Sequence, residues 1–235
     1  MIISDNNSKI KELEKLNMSK YRKKLQMFIV EGKHLVEEAK NANLLIEAYS
    51  IQEKEGYIQI SESAMKKICH TDTVVSEIGV CKLIEKNQLS NKILILDAIQ
   101  DPGNLGSLMR SAKAFGFDTI VLGDGCCDIY NDKAIRSSQG AIFKLNFINA
   151  NLVDFIPTLK DYIVYGTNVK KGIDVNECEK NKKIALVLGN EGNGISKEVD
   201  SVIKKNIYIP LENTESLNVT VAGSILMYIL MLRGL

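Results

Sequence analysis

The fold turns on Ile184-Ala185-Leu186-Val187-Leu188-Gly189-Asn190-Glu191-Gly192-Asn193-Gly194-Ile195-Ser196. Five apolar residues in a row, without polar alternation, read as a strand covered on both faces of a parallel sheet. Three glycines then fall within six residues, which lets the backbone bend tightly and come close to a ligand. Glu191 among them reads either as a turn residue or as a functional acid. In open α/β sheets ligands collect beyond the carboxyl ends of the strands, which is where this loop lies.

Working outward, runs of the same kind recur at Ile93-Leu94-Ile95-Leu96, Thr119-Ile120-Val121-Leu122, Ile163-Val164-Tyr165 and Ile207-Tyr208-Ile209. Helical patterns between them make βαβ crossovers, so residues 92–235 are predicted to form a doubly wound, Rossmann-like parallel sheet. Two further segments sit after strands. Asp97 to Arg110 passes through a Pro102-Gly103 turn into a helix starting near Asn104, with Leu105, Leu108, Met109, Ala112 and Phe115 on one stripe and Gly116 at its end. Asn104 reads as the cap of that helix or as a site residue. Arg110, off the stripe, is either solvated or turned to a ligand. Gly103 and Gly106 lack the spacing of a dinucleotide fingerprint, which disfavours a dehydrogenase. The other segment, Ile209 to Val219, carries Ser216 and Asn218 at the start of a helix from Leu217 to Leu232, where capping is the default role. That helix is apolar on nearly every face, which predicts packing on its own sheet and on another subunit.

Residues 1–88 read as a separate small α/β unit. A helical pattern covers Lys9–Lys24, strands follow at Met27–Val30 and Leu44–Ile51, and helices at His34–Asn41 and Ser61–Cys69. The polar stretch Glu85–Asn91 is the candidate linker. Lys15, Lys20, Arg22, Lys23 and Lys24 stand together without an acidic residue. They make either a solvated helix face or a phosphate-attracting one.

Composition narrows the class. The chain is 45% hydrophobic and 25% charged with a net charge of +1, ordinary values for a globular protein with its own core. Val219–Leu232 is shorter than the ~20 residues a membrane span needs, and Met1–Asn7 lacks the pattern of a signal peptide. The odd number of cysteines (Cys69, Cys81, Cys126, Cys127, Cys178), with only His34 and His70 beside them, suits neither a disulfide framework nor a metal site. A reduced, cytoplasmic protein is the expectation.

At Asn104–Arg110, Gly189–Gly194 and Ile209–Ala222, the last carrying Ser216-Leu217-Asn218-Val219-Thr220-Val221-Ala222, the sequence resembles the SpoU/TrmH branch of the SPOUT RNA methyltransferases. The segment Arg22–Ala39, with Phe28-Ile29-Val30-Glu31-Gly32, is similar to the substrate-binding module of that family. The resemblance implies a C-terminal trefoil knot, a homodimer built through the knotted domain, and transfer of a methyl group from S-adenosylmethionine to a ribose 2′-hydroxyl. It implies ribosomal RNA as the substrate, with tRNA or a non-catalytic RNA-binding role in ribosome assembly as alternatives. It further implies catalytic roles for Arg110, Asn104, Glu191, Ser216 and Asn218. Cofactor contacts are expected from Leu188, Gly189, Asn190, Gly194, Ile209, Leu211, Ser216, Leu217 and Asn218, and RNA contacts from Lys20, Arg22, Lys23, Lys24, Lys33 and Arg110. No metal and no membrane are implied. The 209–216 loop departs from the family pattern, being shorter and carrying Asn213 where relatives often have glycine.

Overall fold

The computed structural model describes residues 7–71, 73–84, 88–169, 172–180 and 182–234. Most of the opening segment Met1–Asn7 and the first three residues of the expected linker lie outside the described residues. The elements run α1 (Ser8–Lys15), α2 (Ser19–Leu25), β1 (Met27–Glu31), α3 (Lys33–Asn41), β2 (Leu45–Ser50), β3 (Ile58–Gln59), α4 (Glu62–Ile68) and β4 (Glu77–Lys82). They continue as β5 (Lys92–Leu96), α5 (Pro102–Ala114), β6 (Thr119–Leu122), α6 (Asp132–Ser138), β7 (Asn146–Asn149), α7 (Leu152–Phe155) and β8 (Ile163–Thr167). The last are β9 (Ile173–Asp174), β10 (Ile184–Leu188), α8 (Lys197–Asp200), β11 (Lys205–Tyr208) and α9 (Val219–Arg233). They form two compact units, Met1–Ile84 with Asp128–Phe143, and Glu85–Cys127 with Lys144–Leu235.

In the first unit the sheet order is β1-β4-β2-β3. Strand β4 runs antiparallel to both β1 and β2. One side is filled by Ile10, Leu13, Leu16, Met65 and Ile68 from α1, α4 and the turn between α1 and α2, packed on Ile29, Tyr49 and Val80. Helix α6 packs on β1, where the ring of Phe28 lies 4.7 Å from that of Tyr130 and 6.2 Å from that of Phe143.

The single helix expected over Lys9–Lys24 is two helices. Ending α1 at Lys15 frees carbonyls that need donors, and Arg22 supplies them. Its Nη1 donates to the carbonyls of Leu16 at 2.9 Å and Asn17 at 3.0 Å, and its Nη2 pairs with Asp128 Oδ2 at 2.7 Å. Arg22 is 7% exposed. The expectation that it contacts RNA is therefore corrected: its guanidinium is committed to holding the turn. Lys20, Lys23, Lys24 and Lys33 remain exposed.

In the second unit the described strands form one parallel sheet ordered β7-β6-β5-β10-β8-β11-β9. Strands β6 and β10 are buried along their whole lengths, as non-alternating apolar runs require. On one face Ile93, Ile95, Val121, Ala185 and Val187 pack against Leu152 and Ile156 of the α7 region and Val199 of α8. Helices α5 and α9 lie together on the other. A Cβ on Gly223 would sit 2.6 Å from Leu188 and 2.8 Å from Leu108, so glycine sets how closely α9 approaches β10 and α5. Strand order reverses between β5, which continues to β6, and β10 on its other side. That crevice is where a ligand of such a sheet binds.

Candidate active site

The loops at the crevice are bound to one another. Beyond β5, Asp97 is buried, and its Oδ2 accepts from the backbone amide of Ser196 at 2.7 Å. Ala98 follows with φ +55°, a left-handed conformation that costs a non-glycine residue energy and that surrounding structure must enforce. Part of that enforcement comes from Asn190 Nδ2, which donates to the Ala98 carbonyl at 2.9 Å. Cys126 lies underneath, its Sγ donating to the Leu96 carbonyl at 3.2 Å. Burial pushes its thiol up from the ordinary value, which makes it a poor nucleophile.

The 189–194 segment closes on itself. Asn190 and Gly194 exchange backbone hydrogen bonds of 2.9 Å each, and Asn190 Oδ1 accepts from the Gly192 amide at 2.9 Å. Gly189 is required because a Cβ there would lie 2.0 Å from the carbonyl carbon of Gly194 and 2.1 Å from the nitrogen of Ile195. No side chain fits such a gap.

Helix α5 begins two residues before its expected start. Asp101 is its N-cap, accepting from the Asn104 amide at 2.9 Å, with Pro102 in the first turn. Asn104 is thus not the cap, and its side chain is free for other work. Its Nδ2 donates to Glu191 Oε1 at 3.0 Å, and its Oδ1 accepts from Thr220 Oγ1 at 3.1 Å and Asn218 Nδ2 at 3.4 Å. Asn218 does cap α9, its Oδ1 accepting from the Thr220 amide at 2.8 Å, and it joins this network as well. One residue from each of the three motifs therefore meets the others at one point.

Two expected residues stand apart from that point. Arg110 is exposed on α5 and makes no hydrogen bond or ion pair with the described residues. At ~100° per residue it lies roughly 120° around the helix from Asn104 and about 9 Å farther along the axis. Ser216 is exposed, and its carbonyl accepts from Thr214 Oγ1 at 3.1 Å.

Beside the network opens a cavity of about 560 Å³. Leu188, Gly189, Asn190, Gly194, Ile209, Leu211, Ser216 and Leu217 all line it, and Glu191 does too. Asn218 does not. Sequence reasoning missed Thr167, Asn168 and Val169 at the end of β8, together with Asp200 of α8 and Ala222 and Leu226 of α9. The only available signal was the apolar run Ile163-Val164-Tyr165, which marks β8 as a strand. Its position between β10 and β11, which brings its end to the cavity, depends on strand order. Among the described residues, the charged ones lining the cavity, Glu191, Asp200 and Glu215, are all acidic, which favours a cationic ligand.

A parallel sheet with a cavity beyond the carboxyl ends of β8, β10 and β11, bordered by a polar cluster drawn from three segments, is the arrangement of a ligand site in an α/β protein. Comparison with known proteins says which. The profile of the SpoU rRNA methylase family matches residues 91–228, and that of the MRM3-like substrate-binding domain matches residues 7–76. The 23S rRNA (guanosine(2553)-2′-O)-methyltransferase RlmP of Bacillus subtilis strain 168 is 38% identical, covering 97% of this chain and 97% of its own. A TrmH-family protein structure from Porphyromonas gingivalis superposes with a TM-score of 0.85 at 30% identity, covering 98% of each chain. The AdoMet-bound rRNA methyltransferase of Sinorhizobium meliloti shares the fold, with a TM-score of 0.88 at 24% identity over 100% of this chain and 98% of that one. The chain belongs to the SpoU rRNA methylase family.

Proposed function

We propose that this chain is an S-adenosylmethionine-dependent methyltransferase acting on a ribose 2′-hydroxyl of ribosomal RNA. The observation that carries the reading is the meeting of Asn104, Glu191 and Asn218 beside an acidic cavity, in a chain collinear with RlmP over both of its parts. The residues fit the cofactor. The cavity volume is within the few-hundred to thousand Å³ range of small-molecule sites. Leu188, Leu217 and Leu226 give apolar walls for a flat base, and the Gly189 backbone permits close approach. Glu191, Asp200 and Glu215 favour a ligand bearing a sulfonium and an ammonium. When bound, the cofactor supplies an electrophilic methyl group on a positively charged sulfur.

The chain's own residues then hold and orient the ribose. A neutral hydroxyl is a weak nucleophile, and its proton must be drawn off as the methyl group arrives. Glu191, fixed by Asn104, is an acceptor beside the cavity. A guanidinium holds its proton tightly and is a poor base. The exposure of Arg110 favours its engaging an RNA phosphate and steering the hydroxyl over its acting as a base. Ser216 and Asn218 complete the mouth of the site. Positioning of this kind supplies much of the barrier reduction in a bimolecular transfer.

The division of labour we propose is residues 1–88 for substrate binding and 92–235 for catalysis, with Asp128–Phe143 packed in the first compact unit. Exposed Lys20, Lys23, Lys24 and Lys33 are the RNA-facing cations of that part. The knot belongs to the segment carrying the cofactor loops, and the molecule works as a cytoplasmic homodimer. Among the described residues, no helix is long and apolar enough to cross a membrane.

The test is transfer of labelled methyl from S-adenosylmethionine to ribosomal RNA and to tRNA, each taken from cells lacking this protein. Label in ribosomal RNA, surviving alkali as a resistant dinucleotide, is the expected result. Label confined to tRNA overturns the substrate, and no label in either overturns the activity. In the same assay Arg110→Ala reduces transfer by roughly 10²-fold or more while leaving cofactor affinity intact. Normal turnover in that variant removes Arg110 from the mechanism.

A further inference from the structure

Asn104 can serve the site in only one of its two amide orientations. The oxygen and nitrogen ends of a carboxamide have nearly the same shape, so the neighbours decide which end faces which way. Glu191 accepts only, and it must meet the Nδ2 end; turned round, the Asn104 oxygen would face a carboxylate. The amide's oxygen end takes two donors, Thr220 Oγ1 at 3.1 Å and Asn218 Nδ2 at 3.4 Å; Glu191 and Asn218 set which way the amide faces, and the Thr220 hydroxyl anchors it there. The Thr220 contact is the shorter. Asn218 is also divided between two tasks, since its Oδ1 caps α9.

Thr220 is well built for this role. Its residue is half-buried, and its backbone is held from both sides. Its amide donates to Asn218 Oδ1 at 2.8 Å, and its carbonyl accepts from Ser224 Oγ at 2.6 Å. The first turn of α9 therefore stays in place whatever the side chain does. The hydroxyl also reaches the Asn104 carbonyl at 3.4 Å, so it bridges to Asn104 at both its side chain and its backbone.

From this geometry we infer that Thr220 is a positioning residue for methyl transfer, its hydroxyl fixing the Asn104 amide so that Asn104 in turn fixes Glu191 against the cofactor cavity. The inference rests on the methyltransferase reading above. It adds a residue that touches neither cofactor nor ribose and works at one remove, through Asn104. Thr220→Val keeps the side-chain shape and all backbone bonds and deletes only the hydroxyl. One neutral hydrogen bond lost with its anchoring effect corresponds to a roughly fivefold to tenfold change.

The experiment compares wild type, Thr220→Val and Thr220→Ser for methyl transfer, for cofactor binding by calorimetry and for thermal melting. The expected result is a roughly fivefold to tenfold fall in kcat for Thr220→Val, with KM for the cofactor and the melting temperature essentially unmoved. Thr220→Ser, which restores the hydroxyl but not the methyl group, recovers most of the rate. Equal losses in the valine and serine variants, or a loss that tracks a lowered melting temperature, overturn the inference in favour of packing. So does an unchanged kcat in Thr220→Val. A wild-type chain that transfers no methyl group to any RNA overturns the methyltransferase reading itself and takes this inference with it, which separates the two failures.

Discussion

Arg22 illustrates how one residue can look like a ligand contact in sequence and be a structural fastener in space. Its place among four lysines suggests a phosphate-binding face, yet its side chain satisfies two carbonyls left open by the end of α1 and pairs with Asp128. The Asp128 carboxyl feels opposing influences. Burial raises its pKa, but the hydrogen bond from Arg22, the Tyr130 amide and the guanidinium charge together hold it below the ordinary aspartate value. A folded-state pKa below the unfolded one means that the stabilisation is fully present above the unfolded value near 3.8. It is lost as pH falls through the folded value. Asp128→Asn keeps the shape and removes the charge, and we expect it to destabilise the first unit by about 1–2 kcal/mol at neutral pH. The melting difference from wild type should shrink as pH is lowered from 5 towards about 3, because the wild type then loses its own ion pair. A difference that stays constant across that range would assign the role of Asp128 to shape alone.

The elements of the catalytic unit were largely legible because the physics that makes them is local. Thr119–Leu122 and Ile184–Leu188 are buried along their whole lengths, and such strands show as unbroken apolar runs. Strands β7 and β4 escaped notice, since Asn146 and Asn149 flank a two-residue apolar core and Gly79 interrupts the other. The start of α5 was misread because Asn104 and Asp101 are both good caps; Pro102, which favours the first helical turn, was the clue to Asp101. No local pattern could have shown that β8 lies beside β10, and so the cavity wall at Thr167–Val169 had no signature in sequence. The glycine loop was legible as an element, a tight turn after a buried strand. Gly189→Ala would push a methyl group against backbone atoms of Gly194 and Ile195 that have no room to yield. We expect at least a roughly tenfold loss of cofactor affinity by calorimetry and about 1–3 kcal/mol of stability. Gly192→Ala, whose Cβ would meet only Asn190 Oδ1 at 3.5 Å, should cost far less. Equal losses in the two variants would show that loop flexibility, and not the close approach at Gly189, matters.

For the whole molecule, α9 poses a question that a single chain leaves open. Gly223, Leu226, Met227 and Leu230 are buried against the sheet and α5, while Val221, Tyr228 and Leu232 are 47%, 47% and 48% exposed. Positions 221, 225, 228 and 232 follow the helical repeat, so Ile225 continues this outer row into a stripe running the length of the helix. Scattered apolar residues on a surface need no explanation, but a stripe along the most apolar helix of the chain marks a contact surface. We propose a second copy as the occupant, because a two-fold axis lets one face meet its own equivalent. Charge on that face discriminates the alternatives. On a solvated helix Leu232→Glu is nearly neutral, whereas within an interface it buries an unpaired carboxylate at a cost of several kcal/mol. We expect the wild type to sediment as a dimer at micromolar concentration and Leu232→Glu to sediment as a monomer with unchanged helical content. A variant that still dimerises would move the interface off this stripe, and a monomeric wild type would leave α9 as the outer surface of a protein that works alone.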